Sequence, residues 1–155
     1  MERASIYQAA GGAPAFLRLA TAHHARCLAD PVLNHPFSHG GHPDHIARLA
    51  AYWGEVLGGP PTFSTTCNGQ SALMQMHAGS GADDDLGERF AACFMQAVDD
   101  AGLPADPELR QALRNYMAWA TAEVMAISPE GASVPDGLPI PHWTWDGLTE
   151  APQPA

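Results

Sequence analysis

The stretch Leu73-Met74-Gln75-Met76-His77, followed by Ala78-Gly79-Ser80-Gly81, decides how the rest of the chain is interpreted. In a helix, Leu73 and Met76, at i−4 and i−1, lie on the same side as His77. The Gly-Ser-Gly run that follows lets the backbone leave the helix at once. A neutral imidazole is a common metal ligand, but it is also a common core side chain with both nitrogens satisfied. The remaining chain must decide between these two interpretations.

Composition indicates one soluble domain with a hydrophobic core, because the chain has 155 residues and 46% of them are apolar. Seven basic and seventeen acidic residues give a net charge of −10, which opposes binding to nucleic acid or to an anionic membrane. No run approaches the ~18 apolar residues of a membrane span. Cys27, Cys67 and Cys93 are widely spaced and odd in number, so we expect reduced thiols in a cytoplasmic protein.

The chain is predicted to be helical throughout, because alanine is abundant and no segment alternates apolar and polar residues. Helices are predicted over Ile6–Ala10, from Pro14 to Asp30, Pro43–Leu57, at the turn that ends in His77, from Ala82 to about Ala101, and from Asp106 to Val124. Val32–Phe37 is predicted to form a brief helical corner, and Thr62–Gly69 a polar linker.

Proline and glycine are too dense for a helix from Ser128 onward. We therefore expect residues 1–127 to form one domain and residues 128–155 to form an extension that packs on it. Trp143 and Trp145 are expected to pack on an apolar patch, either of the same chain or of a second subunit in a homodimer.

Three predicted helices carry a histidine on the stripe that should face the core. His24 shares its stripe with Phe16, Leu17, Ala20, Cys27 and Leu28, and His45 shares its own with Leu49, Tyr52, Trp53 and Val56. With His77, this makes three inward imidazoles on different helices, which favours a ligand pocket over three separate core histidines. His23 lies on another face of its helix than His24, so at most one of them points into the pocket.

Four signals in this order resemble the truncated (two-over-two) haemoglobin family, most closely its second group. They are Gly11-Gly12 after a short first helix, Leu28-Ala29-Asp30-Pro31, the helix end Gly58-Gly59-Pro60, and Met74-Gln75-Met76-His77. The resemblance covers about Ile6 to Val124. It implies an all-α, globin-like two-over-two helical sandwich, to which this chain adds an irregular C-terminal tail.

The resemblance also implies haem b with its iron held by His77 as the proximal ligand and Met76 beside it. Phe37 would pack on the porphyrin, and Arg48 would lie near a propionate, which a guanidinium suits. The helix that would line the distal side of the haem contributes His45, Leu49, Tyr52 and Trp53.

Two positions of the distal pocket depart from the second group. Phe90 falls where that group usually carries a tryptophan, and His24 falls where it usually carries a tyrosine. Losing these N–H and O–H donors argues against very tight oxygen storage. His24 or His45 could donate a replacement hydrogen bond or bind the iron as a sixth ligand. The predicted distal ligand pocket therefore comprises His24, His45, Leu49 and Phe90.

The implied function is binding of a diatomic ligand (O2, NO or CO), with redox activity on NO or peroxide as an extension that needs a reductase. Two alternatives stay open. One is a haem-free globin-fold module for protein–protein association. The other is a zinc or non-haem iron site formed by histidines that fall within eleven residues, namely His35, His39, His42 and His45. Solvated loop histidines are the simpler interpretation of that cluster.

Overall fold

A computed structural model of the chain describes residues 3–33, 44–67, 69–79 and 84–149, and of residues 76, 77 and 84 it describes the backbone. Seven helices and one short hairpin lie within these ranges. The helices are α1 (Ile6–Ala10), α2 (Gly12–Ala29), α3 (His45–Val56), α4 (Thr62–Thr66), α5 (Gln70–His77), α6 (Asp84–Asp100) and α7 (Pro107–Ala126). The hairpin strands are β1 (Trp143–Thr144) and β2 (Gly147–Leu148).

The body consists of two helix pairs, α2 with α3 and α6 with α7, which are joined where α2 packs against α6. This is the all-α, two-over-two arrangement predicted above. The core between the pairs is rich in aromatic and large aliphatic side chains, among them Phe16, Leu19, Trp53, Phe94, Leu113 and Tyr116. No helix of the described segments is long and apolar enough to cross a membrane.

The predicted helix ends are largely confirmed. The α1 helix starts with a capping box between Ser5 and Gln8, and it stops at Gly11, whose φ of 118° is left-handed. The α2 helix ends at Asp30, directly before a proline, as predicted. Of the predicted corner Val32–Phe37, residues 34–37 lie outside the described residues.

The buried stripe of α2 differs from the predicted one. Leu17 and Leu28 are 49% and 37% exposed, whereas Leu19 and His23 are fully buried. Phe16, Ala20 and Cys27 are buried as expected. The predicted stripe was therefore wrong by part of a turn, because α2 has two neighbours, α3 and α6, and its buried face is set by both.

The segment predicted to be a polar linker contains the helix α4. Phe63 is buried on this helix and packs edge-on against Tyr52, with ring centroids 5.1 Å apart. Glu55, itself buried, accepts a hydrogen bond from the backbone N–H of Ser64 at 2.9 Å and another from its hydroxyl. The N-cap residue of this helix, Pro61, has no side-chain acceptor, and the carboxylate of Glu55 supplies one.

The segment after α7 lies across its own chain and is not wholly irregular, because β1 and β2 pair antiparallel. Trp143 packs against Tyr116 and Trp119 of α7, with ring centroids 5.9 and 5.6 Å apart. The indole N–H of Trp145 donates to the carbonyl of Ala4 at 2.8 Å. All three cysteines are free, and Cys27 and Cys93 are buried.

Candidate functional site

The helix that ends at His77 is anchored to α3 by a buried hydrogen bond. The hydroxyl of Tyr52 donates to the side-chain carbonyl of Gln70 at 2.8 Å. Gln70, Leu73 and Met74 form the inner stripe of α5: Gln70 and Met74 are buried and Leu73 packs against the core. Burial raises the pKa of Tyr52 to about 12, so its hydroxyl stays protonated and remains a donor.

Two histidines predicted to share a pocket do meet in the structure. The rings of His24 on α2 and His45 on α3 lie 5.5 Å apart between centroids, with an angle of 55° between their planes. The Nδ1 atom of His24 and the Nε2 atom of His45 are shielded from solvent. Leu49 follows His45 by one turn of α3 and packs against the core. The structure therefore brings these two imidazoles together, and their role in a ligand pocket stays a prediction.

A third histidine, His23, lies deeper than this pair. Its Nε2 donates to the backbone carbonyl of Phe90 at 3.3 Å, and its ring packs edge-on against that of Phe90 at 4.4 Å. Burial lowers the pKa of His23 to about 4, the bond to Phe90 partly opposes this shift, and the neighbouring His24 and His45 add to it. His23 is thus neutral at physiological pH. The apolar pattern of the sequence instead favours His24 as the inward residue of this pair.

Trp53 and Tyr52, predicted to line the distal helix, are both buried within the core. Trp53 packs edge-on against His23 and against Phe94, with ring centroids 5.4 and 5.0 Å apart. Phe90 is partly exposed on α6 and packs against the same core. These side chains connect α2, α3 and α6 behind the His24–His45 pair.

The remaining predicted site residues are placed as follows. Arg48 is partly exposed on α3, one turn after Asp44. Phe37 lies outside the described residues, and so do three members of the alternative metal cluster, His35, His39 and His42. Met76 and His77 are described in their backbone only. Within the described part of the chain, no group of three or more His, Cys, Asp or Glu side chains is placed to hold a metal ion.

The profile of the bacterial-like globin family matches residues 5–125. The chain belongs to this family. The match spans every helix of the body, from α1 almost to the end of α7, and it stops before the C-terminal segment. No curated protein sequence matches this globin.

Solved haemoglobins share the fold of this globin. The haemoglobin of the phototrophic bacterium Chloroflexus aurantiacus is 28% identical and superposes with a TM-score of 0.68, covering 79% of this chain and 98% of that one. A thermostable haemoglobin from the actinobacterium Thermobifida fusca is 31% identical, with a TM-score of 0.65 and coverages of 79% and 97%. The group II truncated haemoglobin of Bacillus anthracis, 19% identical, has a TM-score of 0.68 and coverages of 84% and 96%, which shows the fold alone. The predicted truncated-haemoglobin fold is thereby confirmed.

Membership of the globin family implies a haem cofactor, and this globin carries residue types that a haem site needs. Haem iron in globins needs an imidazole on one side of the ring and a largely apolar, shielded space on the other. This chain supplies the histidine that ends α5 and the solvent-shielded imidazole nitrogens of His24 and His45. Leu49 and Phe90 add partly exposed apolar surface on α3 and α6.

Proposed function

We propose that this globin binds one haem b and holds the iron through the imidazole of His77. The observation that carries the proposal is that α3 contacts both the helix that ends at His77 and the histidine of α2. Through Tyr52 and Gln70 it holds α5, the helix that ends at His77. Two turns earlier on α3, His45 meets His24 of α2. One helix therefore links the support of the proximal ligand to the histidine pair proposed for the distal side.

The same pocket is proposed to bind a diatomic ligand, O2, NO or CO, for which the bound haem iron supplies an open coordination position. A neutral imidazole presents one N–H donor and one acceptor nitrogen. His24 or His45 can therefore donate to the ligand, or one of them can itself occupy the sixth coordination position. Phe90 and His24, in place of the usual tryptophan and tyrosine, would make this globin a variant of the second group of truncated haemoglobins.

Haem titration of the His77→Ala variant tests the proximal ligand. We expect the wild-type chain to retain one haem per chain through gel filtration, and the variant to lose it, because no other imidazole is proposed to bind from that side. His142→Ala is the matched control, since His142 is exposed in the C-terminal segment. Far-ultraviolet circular dichroism of the apoproteins checks that all three chains are folded. Full haem retention by folded His77→Ala would contradict the proposal and favour another binding mode or a haem-free module.

Substituting the two distal histidines separately tests the distal pocket. In the ferric protein, conversion from low spin to high spin by His24→Leu or His45→Leu identifies a residue that ligates the iron. If the spin state stays unchanged, we expect roughly tenfold faster O2 release from the variant that has lost the hydrogen-bond donor. His142→Leu again serves as the control. If both pocket variants have the same spectra and O2 release rates as the wild type, neither histidine faces the ligand and the proposed distal pocket is wrong.

A further inference from the structure

The chain segment after α7 binds the outer face of α5. We refer to residues 128–149 as the strap. The hydroxyl of Ser71 donates to the carbonyl of Pro135 at 2.7 Å and accepts a bond from the backbone N–H of Leu138 at 2.8 Å. The side-chain amide of Gln75 donates to a carboxylate oxygen of Asp136 at 3.1 Å. The strap thus bonds two side chains that lie four residues apart on one face of α5.

The strap and the core hold α5 on two different sides. Ser71 and Gln75 are on its outer stripe, whereas the inner stripe begins with Gln70, which bonds to Tyr52 of α3. Directly after α5, the backbone N–H of Gly79 donates to the carbonyl of Ile127, where α7 passes into the strap. His77 therefore sits in a helix whose outer face and C-terminal exit are both bonded to the chain from residue 127 onward.

This support matters because α5 has little stability of its own. It has eight residues, and its N-cap residue, Gly69, provides no side-chain hydrogen bond. Isolated helices shorter than about 12 residues are marginal in water, so tertiary contacts must hold such a helix in place. The strap is itself fixed to α7 by Trp143 and to the N-terminal segment by Trp145.

We propose that the strap is a positioning device for the proximal helix, in which Ser71 and Asp136 hold α5 in place and thereby slow haem loss from His77. The effect on haem loss rests on the proposed function, whereas the effect on the stability of α5 does not. Ser71 and Asp136 are positioning residues, because they act on the cofactor only through α5.

Amide hydrogen exchange of residues 70–79 in the full-length apoprotein tests the effect on the helix. We expect exchange to be about tenfold faster in Ser71→Ala, which loses two hydrogen bonds, and several-fold faster in Asp136→Ala, which loses one. Alanine is a better helix former than serine, so intrinsic propensity would change exchange in the opposite direction. Asp146→Ala is the control, because it removes a carboxylate from the hairpin turn of the same strap.

Transfer of haem to an excess of an apoglobin acceptor tests the effect on the cofactor. We expect haem loss to be fastest in Ser71→Ala and slower, but still faster than in the wild type, in Asp136→Ala. Asp146→Ala should lose haem at the wild-type rate. Unchanged hydrogen exchange in both Ser71→Ala and Asp136→Ala would overturn the proposal. Faster exchange with unchanged haem loss would overturn it too, because the helix would then be held without consequence for the cofactor. Should the wild-type chain retain no haem, the proposed function fails, and faster exchange would still show that the strap holds α5.

Discussion

His23 is the side chain on which α2, α3 and α6 converge. It is 0% exposed, its ring packs edge-on against Trp53 and Phe90, and its Nε2 donates to the Phe90 carbonyl. A buried imidazole with one carbonyl partner is stable as the neutral form, whereas protonation would place a charge inside an aromatic cluster. His23 is therefore a polar core residue, and its burial makes the stability of the fold depend on pH.

The depressed pKa of His23 predicts a loss of stability in acid. The pKa is about 4 in the folded chain and about 6.5 when unfolded, so between these values the unfolded state binds the extra proton. The stabilisation is complete above pH 6.5 and is lost as the pH falls toward 4. By this linkage, moving from pH 7 to pH 5 should cost about 2 kcal/mol of unfolding free energy.

Urea unfolding of the apoprotein at pH 7 and pH 5 measures this effect. His23→Leu should reduce the difference between the two pH values by most of that amount, whatever its own effect on stability. His142→Leu, which changes an exposed histidine, should leave the difference as it is in the wild type. An unchanged pH difference in His23→Leu would show that His23 is not the group responsible.

At the level of single residues, the sequence places His24 and His45 in one predicted pocket, and the structure brings their rings within 5.5 Å, but the burial of His23 is not predicted. Apolar periodicity placed Leu17 and Leu28 on the inner stripe, and the structure leaves both partly exposed. The side chains of His23 and His24 point in directions that differ by about 100° around the axis of α2. Only the packing of α2 against both α3 and α6 determines which of the two enters the core.

At the level of elements, the end of α3 depends on glycines packed against Tyr7. The N–H of Gly59 donates to the carbonyl of Gly54 at 2.7 Å. A Cβ atom on Gly59 would lie 2.7 Å from that oxygen and 2.7 Å from the ring of Tyr7, which is closer than van der Waals contact allows. Tyr7 in turn stacks on Phe16, with ring centroids 5.4 Å apart. The turn therefore joins α1, α2 and α3 at one point.

Gly59→Ala should destabilise the fold by about 1–3 kcal/mol, the usual cost of overpacking, because both neighbours are held in place. Gly69→Ala is the matched control, since a Cβ atom there meets nothing within 4 Å and its φ of −77° suits alanine. Midpoints of thermal or urea unfolding would compare the two variants. Equal stabilities of Gly59→Ala and the wild type would show that the turn is looser than the structure indicates.

Glycine and proline residues make most helix ends predictable from the sequence. The helix that the sequence does not predict depends on contacts with residues of other helices. The α4 helix was not predicted because its threonines are poor helix formers and its N-terminal acceptor, Glu55, comes from α3. Asp99 and Asp100 oppose the dipole at the end of α6, which the sequence alone does not explain. In the structure Arg110 and Arg26 pair with them, and these arginines come from other helices.

At the level of the whole molecule, the sequence predicts the order of the helices better than it predicts the details of the candidate site. Short glycine and proline signals in a fixed sequence indicated a truncated globin, and the family match and the solved haemoglobins bear this out. The strap was predicted to pack on the body, but its bonds to Ser71 and Gln75 were not foreseen. Such contacts join residues about sixty positions apart, and no local pattern in the sequence encodes them.

The ferrous–CO absorption spectrum of the haem-reconstituted chain tests the central claim most directly, because it reports the ligand that faces CO across the iron. The account predicts one CO-binding haem per chain with an imidazole in that position, and loss of this spectrum in folded His77→Ala. A wild-type chain that acquires no stoichiometric Soret band, or a variant whose CO spectrum equals that of the wild type, would contradict it.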